Sequence, residues 1–238
     1  MSELRLSFGN LAETYDRVRP PYSQELLDRA QQVLELDAQA RVLDLAAGTG
    51  RLTRELEQRF AHVVAVEPDA RMRAVHGAAL DGSAEAIPLE DASFDAVFVG
   101  EAFHWFDPDA AIPEVARVLR PRGGLAIFWT HWWETDPPLP EEAVALLREP
   151  WERSQAERRP PWDEAFADSP FEPLQVERDE DELRVGPDEL LELYSTTSAC
   201  AQLPEADRAS LFERVRPLLG PRCRLPLKHE LTWTRLRA

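Results

Sequence analysis

Arg41 to Asp69, RVLDLAAGTGRLTRELEQRFAHVVAVEPD, is the stretch around which the rest of the sequence is arranged. Val42-Leu43-Asp44-Leu45 is a short apolar run of strand type. It stops at Ala46-Ala47-Gly48-Thr49-Gly50, where two glycines let the backbone turn sharply and lie close to a ligand. Leu52, Leu56 and Phe60 then recur at helical spacing, which predicts a helix packed on a sheet with its first amides facing the turn. Val63-Val64-Ala65-Val66 reads as the next strand and ends in Glu67, an acid at a strand tip that can accept hydrogen bonds from both hydroxyls of a ribose. Pro68 restricts Glu67 to an extended conformation, which aims the carboxylate outward, and Asp69 caps a short helix through Met72 and Val75. Strand, glycine turn, helix and acidic strand tip together predict a nucleotide site.

A glycine turn of this kind also occurs in G-x-G-x-x-G dinucleotide sites, so two cofactor classes stand open at this point. Counting on from Gly48 and Gly50, the third position is Thr53, and a nicotinamide reading loses its third element there. Glu67 would bind a ribose under either reading and does not discriminate.

Composition narrows the rest. A chain of 238 residues suits one domain and buries roughly 70–75% of its extended surface, enough for a sizeable core. Its 44% hydrophobic content, distributed over many short apolar runs, argues against disorder. No run approaches the roughly 18 apolar residues of a membrane span, and MSELRLSFGN has no signal-peptide core, so a cytoplasmic protein without membrane association is expected. Cys200 and Cys223 lack metal-ligand spacing and are expected to be ordinary thiols, and no metal is expected. Lys and Arg number 27 against 44 Asp and Glu, a formal charge of −17, which is the opposite of what docking a polyanion requires. Nucleic acid is therefore excluded as the expected partner.

Ser23 is read as the N-cap of a helix whose apolar face is Leu26, Leu27, Ala30, Val33 and Leu34. A brief third strand is placed at Ala78 to Leu80. Phe94 with Ala96 to Val99 forms a near-continuous apolar run, as a parallel strand covered on both faces requires. It ends in Gly100-Glu101-Ala102-Phe103-His104-Trp105, at the carboxyl edge where open α/β sheets bind ligands. The following helix starts at Asp107-Pro108 or at Ile112-Pro113, Arg120 to Gly124 is a turn, and Leu125 to Trp129 is the fifth strand. Residues 135–170, rich in Pro, Glu and Arg, read as a helical insertion or lid over the site. Phe171 to Arg184 is read as a strand followed by an acidic solvated turn, Glu177 to Glu182. Pro187 to Ser198 reads as a helix, and Gly220 as the end of another that Leu203-Pro204-Glu205 opens. Leu225, Leu227, Leu231 and Trp233 alternate with polar positions as a half-buried last strand, in which Pro226 is expected at the first rung or a bulge.

DLAAGTG followed by VEPD resembles motif I and the acidic loop of class I S-adenosylmethionine (SAM) dependent methyltransferases. SAEAIPLEDASFDAVFVGEAFHWFD (Ser83 to Asp107) and EVARVLRPRGGLAIFW (Glu114 to Trp129) resemble later motifs of the small-molecule branch, which includes trans-aconitate methyltransferase-like and quinone-pathway enzymes. The resemblance implies a doubly wound, seven-stranded Rossmann-like sheet with its last strand antiparallel, in one domain over 1–238 with an N-terminal arm at 1–22. It implies that Asp44, Ala46, Gly48, Gly50, Glu67, Pro68 and Gly100 hold SAM, with Asp44 bracing the glycine turn and the amino-acid end of the cofactor. Ser83, Ala84 and Glu85 would receive the adenine. Many relatives carry Asp at the position of Ser83, so adenine recognition here rests on the Ala84 backbone or a hydroxyl. Tyr15 and Arg19, in the segment FGNLAETYDRVRPPY, would stand near the methionine carboxylate, or else belong to a solvated arm. His104 is either a general base or part of the pocket wall, and Glu101, Trp105, His131 and Trp132 are the other candidates for the acceptor pocket, with Trp133 beside them. The expected activity is methyl transfer to a small molecule, with a nicotinamide-dependent oxidoreductase and a SAM-binding protein without turnover as rivals.

Overall fold

The structure, a computed structural model, describes residues 11–132, 137–153 and 162–237. Trp133, the start of the arm and the portions 135–136 and 154–161 of the expected insertion lie outside the described residues. The elements in chain order are α1 (Ala12–Val18), α2 (Gln24–Val33), β1 (Arg41–Leu45), α3 (Arg51–Glu57), β2 (His62–Glu67), α4 (Ala70–His76), β3 (Leu80–Asp81), β4 (Phe94–Gly100), α5 (Pro108–Val118), β5 (Leu119–His131), α6 (Glu141–Arg153), β6 (Gln175–Val185), α7 (Pro187–Ser195), α8 (Ser198–Ala201), α9 (Glu205–Val215) and β7 (Cys223–Arg235). The strands form one mixed sheet in the order β3-β2-β1-β4-β5-β7-β6, with the last strand antiparallel. Parallel pairing sets Leu45 beside Val66, Asp44 beside Phe98, and Glu67 beside Asp81, so β1, β2, β3 and β4 bring their carboxyl ends to one edge. Among the described residues no helix is long and apolar enough to cross a membrane.

The chain divides into two compact units. The first comprises Tyr22–Thr130, Arg159–Asp179 and His229–Ala238. In it, strands β1, β2 and β4 are covered on both faces by two apolar clusters. One contains Leu43, Leu45, Val97, Val99 and Ile127 with Ile112 and Val115 of α5. The other contains Val42, Phe98 and Phe128 with Leu26, Leu27 and Ala30 of α2 and Leu52 and Leu56 of α3. Two-sided burial is why these strands read as continuous apolar runs. Ser23 caps α2 by accepting from the Leu26 amide at 3.1 Å, as its position predicts.

The second unit comprises Met1–Pro21, His131–Arg158 and Glu180–Lys228. Its core joins Leu147 of α6, Leu190 and Tyr194 of α7, Cys200, Leu211 and Val215 with Leu225 and Leu227 of β7. The Tyr194 hydroxyl donates to the Leu147 carbonyl there. Cys200 and Cys223 are both free and buried.

Five local readings change. The third strand lies at Leu80–Asp81, slightly later than its weak apolar signal placed it. Helix α5 takes the first of its two possible starts, because the Asp107 side chain caps it with Pro108 in the first turn, and Pro113 is carried inside. Arg120 to Gly124 is no separate turn: it is looped within β5, where the pairing steps from Phe94 with Leu119 to Ala96 with Gly124. Glu177 to Glu182 is strand, in the middle of β6 at the end of the sheet. Glu177 pairs with Arg29 and Glu182 with Arg184 and Arg224, while Arg178 of the same strand pairs with Glu230 of β7. An edge strand carrying such charges resists pairing with another chain, which is why a solvated-turn composition and a strand conformation coincide. Finally, Pro226 lies inside β7, between Leu225 and Leu227 at 0 and 1% exposure. Its fixed φ suits an extended chain, and only its donor is missing.

Candidate functional site

The glycine turn is held from beneath. Ala46 leaves β1 in the left-handed region at φ 58°, the Ala47 amide donates to the Val66 carbonyl at 3.0 Å, and the Gly50 amide to the Ala47 carbonyl at 2.9 Å. Gly48 has φ +57°, and a Cβ built on it would meet nothing within 4 Å, so the backbone here faces open space. Its amide donates to Glu67 Oε2 at 2.8 Å, while Glu67 Oε1 accepts from the Asp69 amide at 2.8 Å. Glu67 is only 6% exposed, and burial raises its pKa against the lowering effect of those two bonds. The sequence assigned Glu67 to a ribose; the structure shows it tying β2 to the glycine turn. Pro68 follows, its carbonyl accepting from Arg73.

Asp44 is fully buried in β1 below this turn. Oδ2 accepts from the Thr53 hydroxyl at 2.5 Å, and among the described residues nothing hydrogen-bonds to Oδ1. Burial pushes its carboxyl up to about 7, with the Thr53 bond opposing and the neighbouring Glu67 adding to the rise. Thr53, which entered the sequence argument only as a missing glycine, is thus a direct partner of the motif's acid.

Ser83 and Ala84 follow β3 in a loop that bridges Ser83 to Ala86. An Arg-Glu pair on α5 fixes this loop. Arg117 donates to the Ile87 and Leu89 carbonyls at 2.9 Å and to Asp91 at 2.6 Å, while Glu114 binds Arg117 at 2.8 Å and accepts from the Ile87 amide at 2.9 Å. The Arg117 bonds hold Glu114 below its ordinary pKa. An i, i+3 pair of opposite charge is visible in the sequence, but its loop partners are not. Arg117→Met is expected to cost about 2 kcal/mol in urea denaturation, as several bonds to a charged group are lost. Hydrogen exchange at the Ile87 amide should quicken in parallel, and unchanged protection there would show that the pair does not hold the loop. Glu85 accepts from the Asp107 amide at 3.1 Å on the exposed side.

At the end of β4 a Cβ on Gly100 would run into the Tyr22 hydroxyl, so only glycine admits Tyr22 there. Glu101 turns out of the strand at φ 58°, donates its amide to the Phe128 carbonyl at 2.9 Å and accepts the Thr130 amide at 2.5 Å. A non-glycine residue held in the left-handed region twice, at Ala46 and Glu101, marks backbone strain stored on the carboxyl edge. His104 lies among aromatic rings, with centroids 4.8 Å from Trp105 and 5.2 Å from Trp129. Trp162 extends the group, 6.2 Å from Trp129 and 4.9 Å from Phe103. Its part in this wall had no sequence signal, being isolated in a segment without periodicity.

The remaining candidates belong to the second unit. Arg19 donates Nε to Thr196 Oγ1 at 3.0 Å and Nη2 to the Thr196 carbonyl at 2.6 Å, and its guanidinium stands 4.7 Å over the Tyr15 ring. Thr196 is the C-cap of α7, so Arg19 neutralises a helix end. His131 is partly buried, and Trp132, at 3% exposure, packs in the core of that unit. Among the described residues no group of three or more His, Cys, Asp or Glu could hold a metal.

Comparison with known proteins places this geometry. A family model described as a methyltransferase domain matches residues 43–127, from β1 into β5. An uncharacterized methyltransferase of Mycobacterium bovis is 40% identical over 224 residues, covering 92% of this chain and 87% of its own length. A solved structure from Anaeromyxobacter dehalogenans, described as a candidate type II methyltransferase, shares 24% identity with a TM-score of 0.62, over 92% of this chain and 97% of that one. A Haemonchus contortus N-methyltransferase, solved with phosphomonomethylethanolamine and S-adenosylhomocysteine, also reaches 0.62 at 15% identity, over 100% of this chain and 61% of that one. The oxidoreductase alternative gains nothing from these matches, and with the glycine turn, the acidic strand tip and the 3-2-1-4-5-7-6 sheet they show that this chain belongs to the class I SAM-dependent methyltransferases.

Proposed function

We propose that this protein transfers a methyl group from SAM to a small-molecule acceptor at the carboxyl edge of β4. The observation that carries the cofactor assignment is Asp44 Oδ1, a fully buried carboxylate oxygen with no hydrogen-bond partner among the described residues, under a glycine turn that faces open space. A buried ionised oxygen needs a donor, and the ammonium of an amino acid is one. Each Glu67 oxygen has a second lone pair left for a ribose hydroxyl after accepting its amide. The loop clamped by Glu114 and Arg117 offers Ser83 and Ala84 to an adenine. The residues present therefore fit the cofactor.

When bound, SAM supplies a methyl group already activated for in-line displacement by its sulfonium. The protein's own residues bind, orient and exclude water. For the acceptor, the support is a charge of −17, which disfavours polyanions, and the aromatic wall of Trp105, Trp129 and Trp162, which suits a planar or apolar molecule. His104 serves in that wall by shape, since its ring is packed between two tryptophans.

Calorimetric titration with SAM and, separately, with S-adenosylhomocysteine tests the cofactor. Micromolar binding of both is expected, and binding of neither overturns the reading. A screen of small acids, phenols and quinone-like compounds follows. With an acceptor in hand, His104→Phe is expected to keep kcat within about threefold, and His104→Ala to raise the acceptor KM about tenfold. A loss of kcat by a factor of about 100 or more in both variants would instead make His104 a general base.

A further inference from the structure

We propose that His76 is a positioning residue of the cofactor site, acting through the Thr53 hydroxyl to hold Asp44 with its Oδ1 left to the cofactor; this rests on the cofactor reading above. His76 ends α4, and Gly77, left-handed at φ 84°, turns the chain so that the Ala78 amide reaches His76 Nδ1 at 3.3 Å. Because Nδ1 accepts, the ring proton of the neutral imidazole is on Nε2. Nε2 lies 2.9 Å from Thr53 Oγ1, which lies 2.5 Å from Asp44 Oδ2. The hydroxyl has one proton to give. It receives from His76 and donates to Asp44, so the direction of the chain is fixed. The imidazole also fills the space beside Gly50, its ring atoms 2.9–3.2 Å from where a Cβ would stand, and this locks the ring against the glycine turn.

The charged groups that bear on this chain are Arg54 and Glu57 of α3 beside His76, and Glu67 of β2 beside Asp44. Burial lowers the His76 pKa, which keeps the ring neutral near pH 7 and Nδ1 available to Ala78. A hydroxyl that receives one hydrogen bond donates a better one, and a bond to the ionised carboxylate favours ionisation. His76 thereby eases the deprotonation of Asp44 that holding a cationic ammonium requires.

The test is calorimetric binding of S-adenosylhomocysteine from about pH 5.5 to about pH 8 for wild type, His76→Ala, His76→Gln and Thr53→Val. Wild-type affinity is expected to rise with pH through about 7 as Asp44 ionises. In His76→Ala the midpoint should move up by about 0.5 unit and pH 7 affinity fall about threefold, and in Thr53→Val by about 1 unit and tenfold. His76→Gln retains an amide donor for Thr53 and should return the midpoint towards wild type. Loss of packing alone would lower the melting temperature of a variant without moving the midpoint. An unchanged midpoint in His76→Ala and Thr53→Val overturns the inference, whatever their stability. If wild type binds at no pH, the cofactor reading itself has failed and the inference falls with it.

Discussion

Replacing Asp44 by asparagine is expected to move stability and cofactor affinity in opposite directions. Its carboxyl is raised from 3.8 to about 7, chiefly by burial, so the folded protein holds that proton more tightly than the unfolded chain. For a group raised in the fold, the stability it contributes is full below the unfolded pKa and is lost as pH climbs through the folded one. Between about pH 4 and pH 7, Asp44 therefore withdraws on the order of 4 kcal/mol from the ligand-free protein. Asparagine keeps the shape and removes the charge. Thermal unfolding at pH 8 should show Asp44→Asn more stable by about 2 kcal/mol, or about 5 °C for a chain of this length. The gain should vanish near pH 4, where wild-type Asp44 is protonated. Affinity for S-adenosylhomocysteine at pH 8 should fall on the order of 100-fold, the loss of a charge-assisted bond in a buried site. A variant both less stable and normal in binding would remove Asp44 from the site and make it a structural cap.

The sequence carried the sheet because two-sided burial writes itself as near-continuous apolar runs at β1, β2 and β4, and a strand that stops at glycines has few alternatives. It also carried the places where β1, β2 and β4 end, and hence the edge where Asp44, Glu67 and Gly100 gather. Partnerships were less legible. Thr53 was read only as the absence of a glycine, because nothing in a linear pattern says that a helix residue nine positions on will reach back to Asp44. His76 lies 23 positions beyond Thr53, and Arg117 about 30 beyond the Ile87 carbonyl it holds. Such contacts depend on the register of parallel strands, which periodicity does not encode. Composition misled at β6, where charge was read as a solvated turn although an edge strand has its own use for charge. Arg19, read by resemblance as near a carboxylate or else as part of a solvated arm, reaches the C-terminus of α7 through Thr196, a partner no linear pattern signals.

The largest loss of binding is expected at Glu67, where even the isosteric change to glutamine fails. The two carboxylate oxygens accept from different backbone donors, Gly48 on Oε2 and Asp69 on Oε1. Glutamine offers one carbonyl oxygen and one NH2 group, so whichever way the amide is turned, an N–H faces a backbone N–H. Either the glycine turn or the start of α4 must then give up its bond, at about 1–3 kcal/mol for a donor left unsatisfied. In the proposed cofactor site the ribose loses one of its two acceptors as well. Glu67→Gln should weaken S-adenosylhomocysteine binding on the order of 100-fold at pH 8, and Glu67→Ala, which removes both acceptors, on the order of 1,000-fold. Thermal unfolding separates the two jobs of this side chain. If Glu67 only braced the turn, stability would fall while binding by the fraction still folded stayed within about twofold of wild type. If it only met the ribose, binding would fall with stability unchanged. If the same two oxygens serve the backbone and the ligand, as proposed, both fall together, and a clean separation of the two would refute the shared role.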